Sequence, residues 1–175
     1  MTARSSKRSW TSRICETLDP VTILLVRHAR AGRRDRWRGD DRLRPLSKAG
    51  QAQAQALPRL VRSIGEEQAR LVSSPWLRCI ETLAPLAAVL GLAVEADDTL
   101  AEGMGDKAVE AMGRWMDGPP GVFCTHGDVV ERILAELADN GVDLGRRPQA
   151  AKGSVWVLTG SEGTVHTARY LPPPA

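Results

Sequence analysis

Ile23-Leu24-Leu25-Val26-Arg27-His28 and Gly121-Val122-Phe123-Cys124-Thr125-His126 are two apolar runs that each end on a histidine. Short continuous apolar runs of this kind read as strands buried on both faces, the signature of a parallel sheet covered by helices. Such sheets carry their chemistry at the carboxyl ends of the strands, which is where both histidines fall. Arg27 directly precedes His28, and Arg78 follows a third short strand, Leu71-Val72-Ser73, within the opening turn of the next helix. Imidazole can be a neutral nitrogen nucleophile near pH 7, and guanidinium is a permanent charge whose fork matches phosphate oxygens. The combination points to a phosphoryl-transfer site.

Outward from these strands, the patterns of helix and strand alternate. Ser47 caps a predicted helix whose apolar positions Ala52, Ala56, Leu57, Leu60, Val61 and Ile64 recur at helical spacing up to Gly65, with a kink expected at Pro58. Ser74-Pro75 reads as a cap with proline in the first turn of a helix running toward Gly91, bent at Pro85. Residues 92–95 read as a short strand, 106–116 as a weaker helix, and 128–140 as a helix with the stripe Val129, Val130, Ile133, Leu134 and Leu137. Residues 154–159 and 164–170 form two further strands around a Gly160-Ser161-Glu162-Gly163 turn. The alternation predicts a three-layer α/β/α sandwich with a mostly parallel sheet, over residues 21–171. Residues 1–20 read as a flexible basic tail and 172–175 as a proline-rich one.

The formal charge of +3 divides into +2 from the first twenty residues and +1 from the remainder, so the alkaline balance is no argument that the fold binds nucleic acid. Charge is concentrated locally instead: residues 27–44 hold eight arginines against Asp35, Asp40 and Asp41. A solvated loop and a rim that draws anions toward the site both account for it. Trp37 in that loop either stacks on a base or anchors the loop. No apolar run approaches the ~18 residues of a membrane span, and the Arg/Ser-rich start lacks the apolar stretch of a secretory signal. Cys15, Cys79 and Cys124 are an odd number with no CxxC spacing, which fits a reducing cytoplasm and no zinc site. A thiol phosphatase would need an arginine six residues after its cysteine; Val21, Pro85 and Val130 stand there, leaving Cys124 as a buried strand residue. His166 lies in an alternating strand pattern and is expected to face solvent without chemistry.

Three segments in order, Leu25-Val26-Arg27-His28-Ala29, Ser73-Ser74-Pro75-Trp76-Leu77-Arg78-Cys79-Ile80-Glu81-Thr82 and Thr125-His126-Gly127-Asp128, resemble the signatures of the histidine phosphatase, or phosphoglycerate-mutase-like, superfamily. The run Asp40-Asp41-Arg42-Leu43-Arg44-Pro45-Leu46-Ser47-Lys48-Ala49-Gly50 is similar to the short SixA-type branch. It is closer still to the phosphatase domain fused behind a Nudix domain in actinobacterial MutT-like proteins, as is Lys152-Gly153-Ser154-Val155-Trp156-Val157-Leu158; no Nudix signature is present. The resemblance implies a phosphatase that needs no metal or cofactor. His28 would attack phosphorus in line and form a phosphohistidine that water then hydrolyses. Its other ring nitrogen would donate to a backbone carbonyl that fixes the tautomer. Arg27, Arg78 and His126 would surround the transferred oxygens, and Glu102 matches the family's leaving-group acid.

Each of these residues alone has a plain structural reading, as a strand-end histidine or a salt-bridged helix arginine. It is their occurrence together, at strand-to-helix junctions, that favours a phosphate site. One departure stands out: the family has glycine after the histidine, and here it is Ala29, harmless if the backbone keeps negative φ and crowding if it does not. The short stretch 99–121 leaves little chain for a lid, so an open site suits a phosphorylated small molecule, the end of a nucleotide or a phosphoprotein side chain. Two alternatives remain: a catalytically weak phosphate-recognising module, and a nucleic-acid binder using the arginine loop, against which the interspersed aspartates argue.

Overall fold

The computed structural model describes residues 19–65, 67–146 and 148–174; the tail expected over 1–20 lies outside them except for residues 19 and 20. Six strands form one sheet in the order β3-β2-β4-β1-β5-β6, with β1 at Val21–Arg27, β2 at Arg70–Ser73, β3 at Val94–Ala96, β4 at Gly121–Thr125, β5 at Val155–Ser161 and β6 at Thr164–Leu171. The first four run parallel, and β5 and β6 add an antiparallel hairpin beside β1. Helices α1 (Lys48–Ile64) and α2 (Leu77–Leu90) cover one face, and α3 (Gly105–Met116) and α4 (Gly127–Asp139) the other. This is the expected three-layer α/β/α arrangement.

The pleat explains why the strands are apolar throughout. Ile23 and Leu25 of β1 point into the α3/α4 core with Phe123, while Leu24 and Val26 point into the α1/α2 core with Val122 and Cys124. All four β1 residues are buried, each worth on the order of 2 kcal/mol in area removed from water. Among the described residues no helix is long and apolar enough to cross a membrane.

Several boundaries differ from the sequence expectation for identifiable reasons. Helix α2 starts at Leu77 after Trp76, which makes no side-chain cap; the Ser74 hydroxyl accepts from Trp76 N at 3.3 Å just ahead of the helix and also meets His126 Nε2. Strand β3 begins at Val94 rather than 92, since the N–H groups of Gly91 and Leu92 both donate to the Ala87 carbonyl and close the helix. Both helices continue through their internal prolines, Pro58 and Pro85. Ser47 does cap α1, its Oγ accepting from Gly50 N at 3.1 Å.

Ser47 also ties α1 to the loop after β1: its N–H and hydroxyl both donate to the Arg30 carbonyl. Gly50 lies against the same carbonyl so closely that an added Cβ would fall 1.9 Å from the oxygen. Gly50→Ala is therefore expected to destabilise the fold by about 1–3 kcal/mol through overpacking, despite alanine's better helix propensity. Urea midpoints would show it; a gain in stability would mean that α1 is not seated on that loop.

Candidate active site

Three parallel strands stop at one edge, and their ladder extends one residue beyond β1 and β2. His28 N donates to Thr125 O and Ser74 N to Cys124 O, both at 2.9 Å, so the backbones of His28 and Ser74 are placed by the sheet itself. Across the gap, Gly153 N donates to the carbonyls of Arg27 and His28 at 3.0 and 3.1 Å. His28, Arg78 and His126 are buried.

The His28 ring is held at Nδ1, which donates to the Ala29 carbonyl at 2.7 Å. That leaves the Nε2 lone pair facing the cleft, where it accepts from Arg78 Nε at 3.3 Å. Burial is the main cause holding the imidazole down to about 3; the Ala29 carbonyl pulls the other way, and His126, Arg78 and Arg27 add further depression. A neutral nitrogen with a fixed tautomer is what nucleophilic attack requires. Ala29 is accommodated without strain: Glu162 is the one non-glycine with positive φ among the described residues, and the Ala29 methyl packs with Leu46 and Ala54.

Arg78, with 1% of its side chain exposed, joins the other groups. Its Nη1 donates to the Asp41 carbonyl at 2.9 Å, and its Nη2 to Glu102 Oε2 at 2.5 Å and to His126 Nδ1 at 3.3 Å. With Nδ1 accepting, His126 Nε2 carries the proton and donates to Ser74 Oγ at 2.8 Å. Trp76 packs beneath this arrangement, 4.4 Å from the guanidinium carbon and edge-on to the His126 ring. Glu102 reaches in from a loop anchored at both sides: Thr125 Oγ1 donates to the Leu100 carbonyl, and Gly103 N donates to Asp128 Oδ2 at 2.7 Å. Arg27 lines the same cleft, donating to the Ala150 carbonyl and resting on Gly127, where a Cβ would stand 2.6 Å from its guanidinium carbon. All five sequence-predicted residues thus meet in one cleft of about 440 Å³.

The structure adds residues that the sequence left undistinguished. Asp41 pairs with Arg44 at 2.7 Å, Arg34 at 2.9 Å and Arg78 at 3.4 Å. The Arg44 hydrogen bond is the largest cause holding the Asp41 carboxyl well below the usual carboxylate range, with burial opposing and Arg34 assisting. The Asp41 and Arg44 spacing of three was a legible signal; the role of Ser74 on His126 was not. The arginine loop lines the cleft with Arg33, Arg34 and Arg44, and part of its charge is paired, Arg33 with Asp35, Arg42 with Asp40, and Arg34 and Arg44 with Asp41. Trp37 anchors it, donating from Nε1 to the Asp40 carbonyl. His166 is exposed, as expected.

The family model of the histidine phosphatase superfamily (branch 1) matches residues 23–108. An 8-oxo-(d)GTP phosphatase of Mycolicibacterium smegmatis is 36% identical over 162 residues, 90% of this chain and 50% of that protein, so the chain spans about half the length of this relative. Among solved structures, the protein histidine phosphatase SixA complexed with tungstate aligns with a TM-score of 0.65 at 18% identity, over 86% of this chain and 94% of its own. SixA from Nakamurella multipartitia aligns with a TM-score of 0.69 at 22% identity, over 89% and 98%. At these identities the structural likeness is one of fold.

Two outcomes follow from the geometry. The unfolded chain takes up the His28 proton near 6.5 and the folded chain only near 3, so this contribution to stability is complete above pH 6.5 and is lost as the pH falls toward 3. Urea midpoints of His28→Gln should therefore fall less between pH 7 and 4.5 than those of the wild type; parallel slopes would contradict a buried neutral imidazole. Gly127→Ala should push Arg27 aside and weaken orthophosphate binding by roughly tenfold or more, the loss of one charge-assisted hydrogen bond, as read by calorimetry. Unchanged affinity would remove Arg27 from the anion seat.

Proposed function

The chain belongs to the histidine phosphatase superfamily, and from that premise we propose that it is a phosphatase working through a phosphohistidine on His28. The observation that carries the reading is the fixed tautomer: Nδ1 is committed to the Ala29 carbonyl and Nε2 is turned into the cleft against Arg78.

An entering phosphoryl group takes the guanidinium donors of Arg78 from Glu102 and from the lone pair of His28, which frees Nε2 to attack. The N–P bond forms as the bond from phosphorus to the leaving oxygen breaks, with Arg27 and Arg78 donating to the equatorial oxygens; His126 joins them from Nδ1 in its imidazolium form, its Nε2 remaining on Ser74. Glu102, displaced toward the rim, takes the proton of the entering phosphomonoester monoanion and, left beside the departing oxygen, hands that proton to it. Water then attacks phosphorus and returns a proton to Glu102, the N–P bond breaks, and orthophosphate leaves with His28 restored.

A phosphorylated small molecule, and a nucleotide in particular, suits this cleft best. The curated relative is named for action on (d)GTP chemistry, and the carboxylates facing the seat, Glu102 and Asp41, are about a third exposed and reachable by a soluble substrate. Phosphohistidine on a protein is the other substrate an open site would admit.

The test is p-nitrophenyl phosphate turnover in EDTA by wild type and His28→Ala. Turnover that persists in chelator and falls by about a thousandfold or more in the variant is the expected result, with an acid-labile phosphoenzyme trapped only in the wild type. A folded wild type that binds orthophosphate but turns over neither this substrate nor a nucleotide would leave a phosphate-recognising module instead.

A further inference from the structure

Six cations line the cleft, but they are not equally free. Arg33 is held by Asp35, Arg34 by Asp41 and Glu102, Arg44 by Asp41, and Arg78 by Glu102 and Asp41. Arg27 and Lys152 meet no carboxylate among the described residues. Arg27 spends one nitrogen on the Ala150 carbonyl and keeps its Nε buried without a partner. The Lys152 side chain has neither hydrogen bond nor ion pair among the described residues, although its backbone is fixed. Its carbonyl accepts from Gln53 Nε2 at 3.2 Å, and the next residue, Gly153, is bonded to Arg27 and His28.

The uncompensated charge of the cleft therefore lies on the wall beside the nucleophile, not on the arginine loop that dominates the sequence. Burial first, and then the like charges of Arg27, Arg44, Arg30 and Arg78, push the Lys152 ammonium below its ordinary value, as expected of a cation facing other cations without a counter-ion. An anion placed among Arg33 and Arg34 has to displace carboxylates already hydrogen-bonded there. One placed between Arg27 and Lys152 displaces none and relieves the repulsion.

We propose that Lys152, with the free edge of Arg27, seats a second anionic group of the substrate, a phosphate adjoining the one that His28 attacks. The cleft then prefers a terminal diphosphate to an isolated phosphomonoester. This rests on the reading of the Arg78 and His28 seat as the place of the transferred phosphoryl group. Lys152 acts as a mobile point charge that selects by charge count, complementing the planar forks that orient the first phosphate.

Methylphosphonate and methylenediphosphonate present one and two such groups and undergo no turnover, so calorimetric affinities test the second seat without requiring activity. The wild type should bind the diphosphonate about tenfold or more tightly than the monophosphonate. Lys152→Gln should bring that ratio close to one, Lys152→Arg should keep most of it, and Arg33→Gln should leave it nearly intact. A ratio near one in the wild type overturns the proposal. So does a ratio that survives Lys152→Gln, or one that collapses in Arg33→Gln instead. Because p-nitrophenyl phosphate turnover is measured separately, loss of the catalytic reading with a retained ratio, or the reverse, distinguishes the two.

Discussion

A guanidinium buried almost completely at the end of a parallel sheet is the constraint around which the site is organised. Removing a cation from water costs several kcal/mol unless its donors are matched and its charge is balanced. Arg78 meets the first condition with acceptors that are mostly uncharged: the lone pairs of His28 Nε2 and His126 Nδ1, and the Asp41 carbonyl. It meets the second only at the margin, through Glu102 and Asp41, which are about a third exposed. The positive charge is thus fixed inside while the negative charges that offset it stand at the rim, in contact with solvent. Such an arrangement favours exchange of a protein carboxylate for an incoming anion, since the deep partners keep their places.

Helix α2 turns that constraint into a geometry. Arg78, Glu81 and Thr82 lie at i, i+3 and i+4, one face of the helix, and each side chain meets a different part of the site. Arg78 enters the seat, Glu81 Oε2 accepts from Leu46 N, and Thr82 Oγ1 donates to the Arg78 carbonyl while accepting from Ala29 N at 3.0 Å. One helical face therefore registers the guanidinium against the loop that carries the carbonyl partner of His28. Ala29 belongs to this register: its N–H binds Thr82, its carbonyl binds His28, and its methyl fills a small apolar cluster. The backbone at this position does not draw on the conformations that only glycine allows, so alanine in place of the family glycine leaves the site intact.

The sequence made the sheet and its strand-end histidines legible because burial on both faces leaves an unbroken apolar run, visible in any reading of 23–26 or 121–124. Arg78 was legible for a related reason, its position in the first turn after such a run. What the sequence could not show is how the charges between Arg27 and Arg44 are spent. Eight arginines and three aspartates read as a basic loop, yet Asp41 alone engages Arg34, Arg44 and Arg78, and that depends on the path of a loop with two short 3-10 turns. Ser74 was read as a helix cap on the strength of its proline neighbour; only the position of His126, fifty-two residues on, reveals the competing partner. The requirement for Gly127 was equally hidden, since it arises from contact with a side chain a hundred residues earlier.

The same surroundings that keep His28 neutral also make its neighbourhood attractive to phosphate, and this coupling has a physical logic. Burial and adjacent cations both disfavour protonation of the ring, while those cations favour any anion placed among them. A nucleophile kept neutral by carboxylate partners or by solvent alone would not have this property. A carboxylate beside it would favour the imidazolium and repel the substrate, and an exposed ring would be partly protonated near neutrality. Here Glu102, one of the two carboxylates at the seat, is held off the His28 ring by Arg78 and drawn outward by Arg34. In the proposed reaction it would therefore serve the leaving oxygen without charging His28. The separation of these two roles depends on Arg78 standing between the carboxylate and the imidazole, and the buried guanidinium is where the electrostatics of binding and of attack become one arrangement.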